Sequence, residues 1–250
     1  MTALASLHIA GERLMLCPGG ALIWPARKLM AVADLHLEKG HHFATRGQFL
    51  PPYDSAETLD RLRRLLRRHR PERVVFLGDS FHRATSRLAP ADAQALALLA
   101  QGLSITWLLG NHDPALPPDL PGEVAEALED GPLTFRHIPS ARITQGVEIA
   151  GHLHPKAAMP TRAGQVTRPC FVTSANRVLL PAFGAYTGGL EIADPAIATL
   201  FPRGGRAFLL GTERLFSFPV PPRRSMQPPS GPIPTLASQA LGESVHQING

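Results

Sequence analysis

The stretch Leu29-Met-Ala-Val-Ala-Asp34-Leu-His36 joins a short apolar run to two polar side chains at the point where the run ends. Near-continuous apolar runs of this length are typical of strands buried on both faces of a sheet. Arg73 to Leu77, followed by Gly78-Asp79, has the same form. So has Ile105 to Leu109, which is followed by Gly110-Asn111-His112-Asp113. The sequence therefore predicts three buried strands with polar clusters after their carboxyl ends.

Helical patterns lie between and after these runs. Asp54 to His69 carries leucines at helical spacing, and Pro90 to Gln101 is rich in Ala and Leu with proline at a first-turn position. Gly122 to Asp130 suggests a short third helix. Strands that alternate with helices favour an α/β layered fold.

The pattern changes after residue 131, where short β-like runs follow one another without a long helix. Examples are Gly146 to Ala150, Val166 to Thr173 and Arg177 to Leu180. A second sheet packed on the first would explain them. We therefore predict an α/β fold built as a four-layer α/β/β/α sandwich of two mixed β-sheets.

The sandwich is predicted to span residues 1–218. From Pro219 to residue 250 the chain is rich in proline and buries too little apolar surface to offset its ordering entropy, which predicts a flexible tail.

Cys17 and Cys170 lie far apart in no metal-type spacing, as expected in a reducing compartment. The N-terminus lacks a signal-peptide core, and no apolar run approaches the ~20 residues of a transmembrane helix. We predict a cytoplasmic protein, whose net charge of +5 favours anionic partners only weakly.

Two further clusters complete the polar series, since His137 follows one β-like run and Gly151-His152-Leu-His154 follows another. Ligands of open α/β sheets bind outside the carboxyl ends of the strands, so we expect all five clusters to meet at one rim. Carboxylate, amide and imidazole groups together suit Mn²⁺, Fe²⁺ or Zn²⁺. The side chains of these five clusters are therefore candidate ligands for divalent metal ions.

Two metal ions ~3.5–4 Å apart would clamp a phosphate and ionise a bridging water, giving a hydroxide for in-line attack on phosphorus. Each motif alone also has a purely structural interpretation. Asp79 could close a turn, and Asn111-His112-Asp113 before Pro114 is a good turn sequence. Five such clusters in one chain, each after a strand, favour the metal site over five separate coincidences.

Taken together, these motifs resemble the signature of the calcineurin-like metallophosphoesterases. The resemblance implies a double β-sandwich with flanking helices and two divalent metal ions. It also implies that His112 is the catalytic histidine that stabilises or protonates the leaving oxygen, with Asp113 holding its imidazole. The first metal would be held by Asp34, His36 and His154, the second by Asn111, His137 and His152, with Asp79 bridging the two.

Four stretches resemble one bacterial subfamily more narrowly, the ligase-associated DNA damage response endonucleases. They are Asp34 to Gly40, Leu50 to Asp54, Gly78 to His82 and Leu180-Pro-Ala-Phe-Gly-Ala-Tyr-Thr-Gly-Gly189, and the match runs from about residue 10 to about residue 215. This resemblance implies a DNA phosphodiester substrate, manganese as the ion and a role in DNA repair. It also implies a functional association with a DNA ligase, a helicase and an exonuclease.

Three residues near these motifs are predicted to contact the substrate. Lys39 and Arg46 follow the first metal motif, where a cation could bind phosphate, and His82 lies three residues after Asp79. For Lys39 the absence of a substrate contact is an equal alternative, and His41 and His42 are interpreted as exposed loop residues. The arginines between residues 61 and 73 are interpreted as a solvated helix face rather than a DNA-binding surface.

Two other functions remain open at this stage. The same site would serve a phosphatase or phosphodiesterase for small-molecule or nucleotide phosphoesters. A non-catalytic binding module is the second alternative, with the retromer subunit that shares this fold and carries a degraded metal site as precedent. The complete ligand set and the presence of His112 argue against the binding module.

Overall fold

Two mixed β-sheets form the body of the molecule, in a computed structural model that describes residues 3–40, 54–83, 88–161 and 164–222. The first sheet is antiparallel from β1 to β4 and parallel from β4 to β7. A 3₁₀ turn, Pro25–Arg27, connects β3 to β4. In spatial order the strands are β1 (Ala5–Ile9), β2 (Glu12–Leu16), β3 (Leu22–Trp24), β4 (Leu29–Val32), β5 (Arg73–Leu77), β6 (Ser104–Leu108) and β7 (Glu123–Ala125).

The second sheet has eight strands, and its parallel part is the trio β9, β10 and β13. One strand, β11 (Lys156–Thr161), lies off the main path and forms an antiparallel hairpin with β12. The spatial order along the path is β15 (Leu215–Val220), β14 (Gly205–Leu210), β12 (Gly164–Thr173), β13 (Arg177–Leu179), β10 (Val147–Ala150), β9 (Leu133–Arg136) and β8 (Ala127–Asp130).

The main core lies between the two sheets. Trp24 of the first sheet and Phe135 of the second have ring centroids 6.4 Å apart, and both side chains are fully buried. Buried residues of β4 and β5 pack into the same cluster as those of β9, β10 and β13. Each large apolar side chain placed there contributes about 1.5–3 kcal/mol relative to exposure, so this core holds the two sheets face to face.

Helices α1 (Asp54–His69) and α2 (Pro90–Ala100) cover the outer face of the first sheet. Leu62 of α1 and Leu96 of α2 are buried there in one cluster with Phe76 of β5. The outer face of the second sheet is covered by the four-residue helix α3 (Pro195–Ala198) and the segment after it. The predicted fold class is confirmed, with a thin fourth layer.

The helix predicted for Gly122 to Asp130 is wrong. This stretch forms β7, which pairs parallel with β6, and β8, which pairs antiparallel with β9. Its Ala, Glu and Leu residues favour a helix, but each segment extends the edge of a sheet, and Ala125 and Leu128 pack against the main core. Tertiary pairing therefore outweighs the local preference.

The last strand, β15, ends at Val220, two residues beyond the predicted domain boundary. Residues 223–250, most of the predicted tail, lie outside the described residues. Within the described part of the chain, no helix has the length and apolar character needed to cross a membrane.

Candidate metal centre

Loops from both sheets meet at one rim. Asp34 and Asp79 follow the neighbouring parallel strands β4 and β5, and the amide of Asp34 donates to the Gly78 carbonyl oxygen (3.2 Å). From the second sheet, His137 follows β9 and His152 follows β10. The His152 amide donates to Asp34 Oδ2 (3.0 Å), which ties the two sheets together at this point.

The backbone at this rim is strained. Five of the ten non-glycine residues with positive φ in the described chain are predicted metal ligands. Left-handed conformations cost such residues of order 1–3 kcal/mol and cluster at functional sites. These five ligands are Asp34 (φ 55°), His36 (46°), Asp79 (47°), His152 (73°) and His154 (45°).

Asp34, His36 and His154 form the first cluster, with ligand atoms within 4.8 Å of one another. His154 Nε2 lies 3.2 Å from Asp34 Oδ1 and 3.3 Å from His36 Nε2. Nδ1 of His154 is 3.2 Å from the Gly188 carbonyl oxygen. A carbonyl only accepts, so Nδ1 carries the proton and the lone pair of Nε2 faces the cluster.

Asp79, His137 and His152 form the second cluster, and Asn111 joins it. Nδ1 of His137 donates to the Leu77 carbonyl oxygen (2.8 Å), so its Nε2 faces inward. That Nε2 lies 2.9 Å from Asn111 Oδ1 and 3.2 Å from His152 Nδ1. The amide oxygen and the two imidazoles therefore converge on one point.

The Asp79 carboxylate stands between the clusters. Its Oδ1 is 3.3 Å from His137 Nε2, and its Oδ2 is 3.9 Å from His36 Nε2. Burial raises the pKa of Asp79, but the hydrogen bond with His137 and the neighbouring imidazoles outweigh it and lower the pKa to about 2. Burial also lowers the pKa of His36 to about 3. An ionised carboxylate and a neutral imidazole are the forms that bind metals.

His112 lies at the open side of Asp79, with its side chain 44% exposed. Its backbone amide donates to Asp79 Oδ1 (2.9 Å), and its Nε2 is 4.0 Å from Asp79 Oδ2. Nδ1 of the ring is 3.3 Å from the His82 carbonyl oxygen. Solvent and a substrate can therefore reach this imidazole while its backbone is fixed beside the clusters.

Asp113 departs from the expectation that it would hold the His112 imidazole. Its fully buried carboxylate accepts four backbone N–H bonds, from Asp79 (3.0 Å), Ser80 (2.7 Å), Phe81 (3.0 Å) and Gly110 (3.0 Å). Burial raises its pKa to about 6, against the lowering effect of these amides. Asp113 joins the loop after β5 to the loop after β6, and the His82 carbonyl contacts His112 in its place.

The Leu180–Gly189 stretch wraps around the first cluster. The amides of Phe183 and Gly184 donate to the carbonyl oxygens of Ala33 (2.8 Å) and Asp34 (3.0 Å). Further along, Gly188 offers its carbonyl to His154. A Cβ at Gly189 would collide with the carbonyl oxygen of His154. The stretch is therefore a support for the ligands, and its Gly188-Gly189 pair is the sequence signal of that close approach.

The three predicted substrate contacts have different outcomes. Lys39 Nζ donates to the Tyr186 carbonyl oxygen (3.0 Å), and burial lowers its pKa, so it also braces the Leu180–Gly189 stretch. The ring of His82 lies against those of His36 (6.1 Å) and His112 (5.8 Å), at the edge of the site. Arg46 lies outside the described residues.

The donor set fits a pair of divalent ions. All seven predicted ligands meet in the two clusters, and their donors are carboxylate, amide or imidazole atoms. Backbone carbonyls fix the rings of His137 and His154 with Nε2 facing inward. Cys17 and Cys170 are buried elsewhere, in separate apolar clusters, so no thiolate takes part. Such a set favours ions of the Mn²⁺, Fe²⁺ and Zn²⁺ type.

Comparisons with known proteins agree with this geometry. Residues 27–172 match the calcineurin-like phosphoesterases. A solved nuclease, MPE from Pseudomonas putida, is similar at 31% identity with a TM-score of 0.68, covering 86% of this chain and 100% of the nuclease. Yfce, a phosphoesterase from E. coli, is also similar, at 15% identity with a TM-score of 0.37. The match covers 77% of this chain and 98% of Yfce, and no conclusion about this chain is based on it. No curated protein matches the chain.

Proposed function

The chain belongs to the calcineurin-like phosphoesterase family and is a metal-dependent phosphoesterase, and we propose that it hydrolyses the phosphodiester bonds of DNA as an endonuclease. The observation that carries the proposal is the meeting of six donor side chains from two sheets around Asp79. The similarity to a nuclease at 31% identity over that protein's full length supports a nucleic-acid substrate.

We propose manganese as the ion at both positions. Asp34, His36 and His154 would hold one ion, Asn111, His137 and His152 the other, and Asp79 has one oxygen toward each cluster. When bound, such a pair neutralises phosphate charge and makes a water molecule nucleophilic at neutral pH. The buried carboxylates and the imidazoles would hold that pair, and a phosphodiester would approach from the side where His112 is exposed.

His112 is the proposed proton donor to the leaving oxygen. Its Nδ1 donates to the His82 carbonyl, so donation from Nε2 as well requires the imidazolium form. Nε2 lies 4.0 Å from Asp79 Oδ2, on the side of the ring that faces the clusters. From this position the imidazolium form would give its Nε2 proton to the leaving oxygen as the bond to phosphorus breaks.

The proposal extends to a role in DNA repair in the cytoplasm. An association with a DNA ligase, a helicase and an exonuclease stays a prediction. It rests on the resemblance of Asp34 to Gly40 and Leu180 to Gly189 to the ligase-associated endonucleases. Co-purification of these proteins from the native host would test it.

A substrate panel tests the proposed activity. Plasmid, a single-stranded oligonucleotide, an aryl phosphodiester and an aryl phosphomonoester are each incubated with the protein and Mn²⁺, and then with a chelator. We expect cleavage of DNA and of the aryl diester, and loss of both on chelation. Preferential turnover of the monoester with intact DNA would show a phosphatase and refute the nuclease proposal.

A further inference from the structure

We propose that the DNA strand leaves the metal centre along a groove lined by Lys156, Arg168, Arg61 and Arg214, which bind its phosphates. We call this surface the basic groove. It runs between the β11–β12 hairpin and the turn that connects β14 to β15. The inference rests on the proposed function and extends it to residues outside the metal centre.

The basic groove is continuous with the site. One cleft is lined by the ligand His154 and its support Gly188 together with Lys156 and Arg168. A second cleft is lined by Arg61, Arg168 and Arg214. The two clefts share Arg168 and Pro169, so they adjoin at this pair of residues on the exposed half of β12, and a strand bound beside the first cluster reaches the second cleft by passing over them. Arg168 lies at the junction.

The charge of the basic groove suits a polyanion. Among the lining residues of the two clefts, four permanent cations face one carboxylate, that of Glu213. Within the described residues no acidic side chain forms an ion pair with Lys156, Arg168 or Arg214. Lys and Arg side chains without acidic partners bind the phosphates of a nucleic acid, and the binding is favoured because counterions of the nucleic acid are released.

Several arginines elsewhere on the surface form ion pairs with aspartates. On α1, Arg63 and Arg64 both pair with Asp60, and Arg73 pairs with Asp130. Such pairing neutralises the charge that a phosphate would otherwise meet. Arg61 differs from Arg63 and Arg64 because it lines the basic groove, so the interpretation of the arginines between residues 61 and 73 as a solvated face does not extend to Arg61.

Two arginines of the basic groove are held in place by aromatic rings. The Arg61 guanidinium lies 4.6 Å from the centroid of Phe183, and that of Arg214 lies 4.8 Å from the centroid of Phe216. Stacking on a ring restricts a guanidinium and leaves its edge for hydrogen bonds, and Arg61 Nη2 already donates to the Gly19 carbonyl oxygen (3.4 Å), so its other donors would bind phosphate. Because less side-chain freedom is lost on binding, phosphate contacts made by these arginines are strengthened.

The β11–β12 hairpin leaves Arg168 accessible. Gly164 to Pro169 are exposed at every position, whereas a strand covered on one face would alternate between buried and exposed residues. From Cys170 onward the same strand is buried. The exposed half of β12 therefore stands out beside the metal centre, where a passing strand of DNA contacts it.

The test compares Arg168→Ala with Arg67→Ala, which removes the same charge from an exposed position on α1. For each protein, kcat/KM is measured with Mn²⁺ on an oligonucleotide of about 20 nucleotides and on an aryl phosphodiester. We expect Arg168→Ala to lower the ratio of the two values about tenfold, chiefly through KM for DNA. The slope of log KM against log salt should fall by about one unit.

The control variants define the other outcomes. Arg67→Ala should keep the ratio within about twofold, and Arg168→Lys should keep most of the DNA activity because the charge remains. An unchanged ratio in Arg168→Ala, or an equal loss in Arg67→Ala, would overturn the basic groove. Unsubstituted protein that turns over the aryl diester but no DNA would instead overturn the proposed nuclease function, before any variant is compared.

Discussion

Backbone carbonyls aim the imidazoles of this site. His137 donates to the Leu77 carbonyl, His154 to that of Gly188 and His112 to that of His82. Each bond fixes which ring nitrogen carries the proton and turns the other nitrogen toward Asp79 or Asp34. The positions of these main-chain oxygens therefore decide which imidazole nitrogens face the proposed metal positions, and hydrogen-bond partners of this kind orient the ligands of metal sites generally.

Replacing His112 by alanine should separate turnover from metal binding. The imidazole is not among the proposed ligands and is half exposed, so the fold and the bound ions should persist. Loss of a general acid should lower kcat by about 10²–10⁴-fold. Steady-state kinetics on an aryl phosphodiester together with elemental analysis measures both. A fully active variant, or one that loses its metal, would refute the proton-donor role.

Asp113→Asn should damage structure as well as activity. One amide NH₂ cannot accept the backbone N–H bonds that a carboxylate oxygen accepts, and each buried group left unsatisfied costs about 1–3 kcal/mol. We expect a lower Tm and weaker metal binding together. A variant with unchanged Tm and metal content but a lower kcat would restore the view that Asp113 acts through the imidazole of His112.

The candidate ligands can be predicted from the sequence, but the groups that hydrogen-bond to them cannot. Asp34, Asp79 and His152 sit in recognisable motifs after strands, and parallel strands bring such residues together. The acceptor that contacts His112 is the backbone carbonyl of His82. Every residue has such a carbonyl, so the sequence does not reveal which one contacts the ring. The family resemblance implies that Asp113 holds the imidazole, whereas its carboxylate accepts N–H bonds from the backbone of the loop after β5.

Among the structural elements, the Leu180–Gly189 stretch allows a prediction in which alanine substitutions at its two adjacent glycines are compared. A Cβ at Gly189 would collide with the His154 carbonyl, whereas a Cβ at Gly188 meets nothing within 4 Å. Gly189→Ala should therefore displace the support of His154 and lower metal affinity or activity about 10–100-fold. Gly188→Ala should remain near the unsubstituted protein. Isothermal titration with Mn²⁺ compares them, and equal affinities in both variants would contradict the account.

The strands and helices of the central layers follow from local patterns. Asp54–His69 and Arg73–Leu77 have the predicted bounds because helical spacing and a continuous apolar run are each local signals. The edge strands are different. Glu123–Ala125 is a strand only because β6 offers an open edge, and β1 and β2 form a hairpin that the sequence analysis did not single out. Their pairing depends on partners far along the chain.

For the whole molecule, the metal centre is a junction between the two sheets. The first sheet brings Asp34, Asp79 and Asn111 to the rim, and the second brings His137 and His152. Each proposed ion would draw ligands from both sheets, and the His152 amide donates to Asp34 Oδ2 at the same place. Metal binding should therefore stabilise the packing of one sheet on the other.

Anomalous diffraction from crystals grown with Mn²⁺ tests the central claim most directly. The account predicts two peaks, one among Asp34, His36 and His154 and one among Asn111, His137 and His152, with the Asp79 carboxylate between them. Absence of any peak at this rim under conditions in which the protein cleaves a phosphodiester would contradict it.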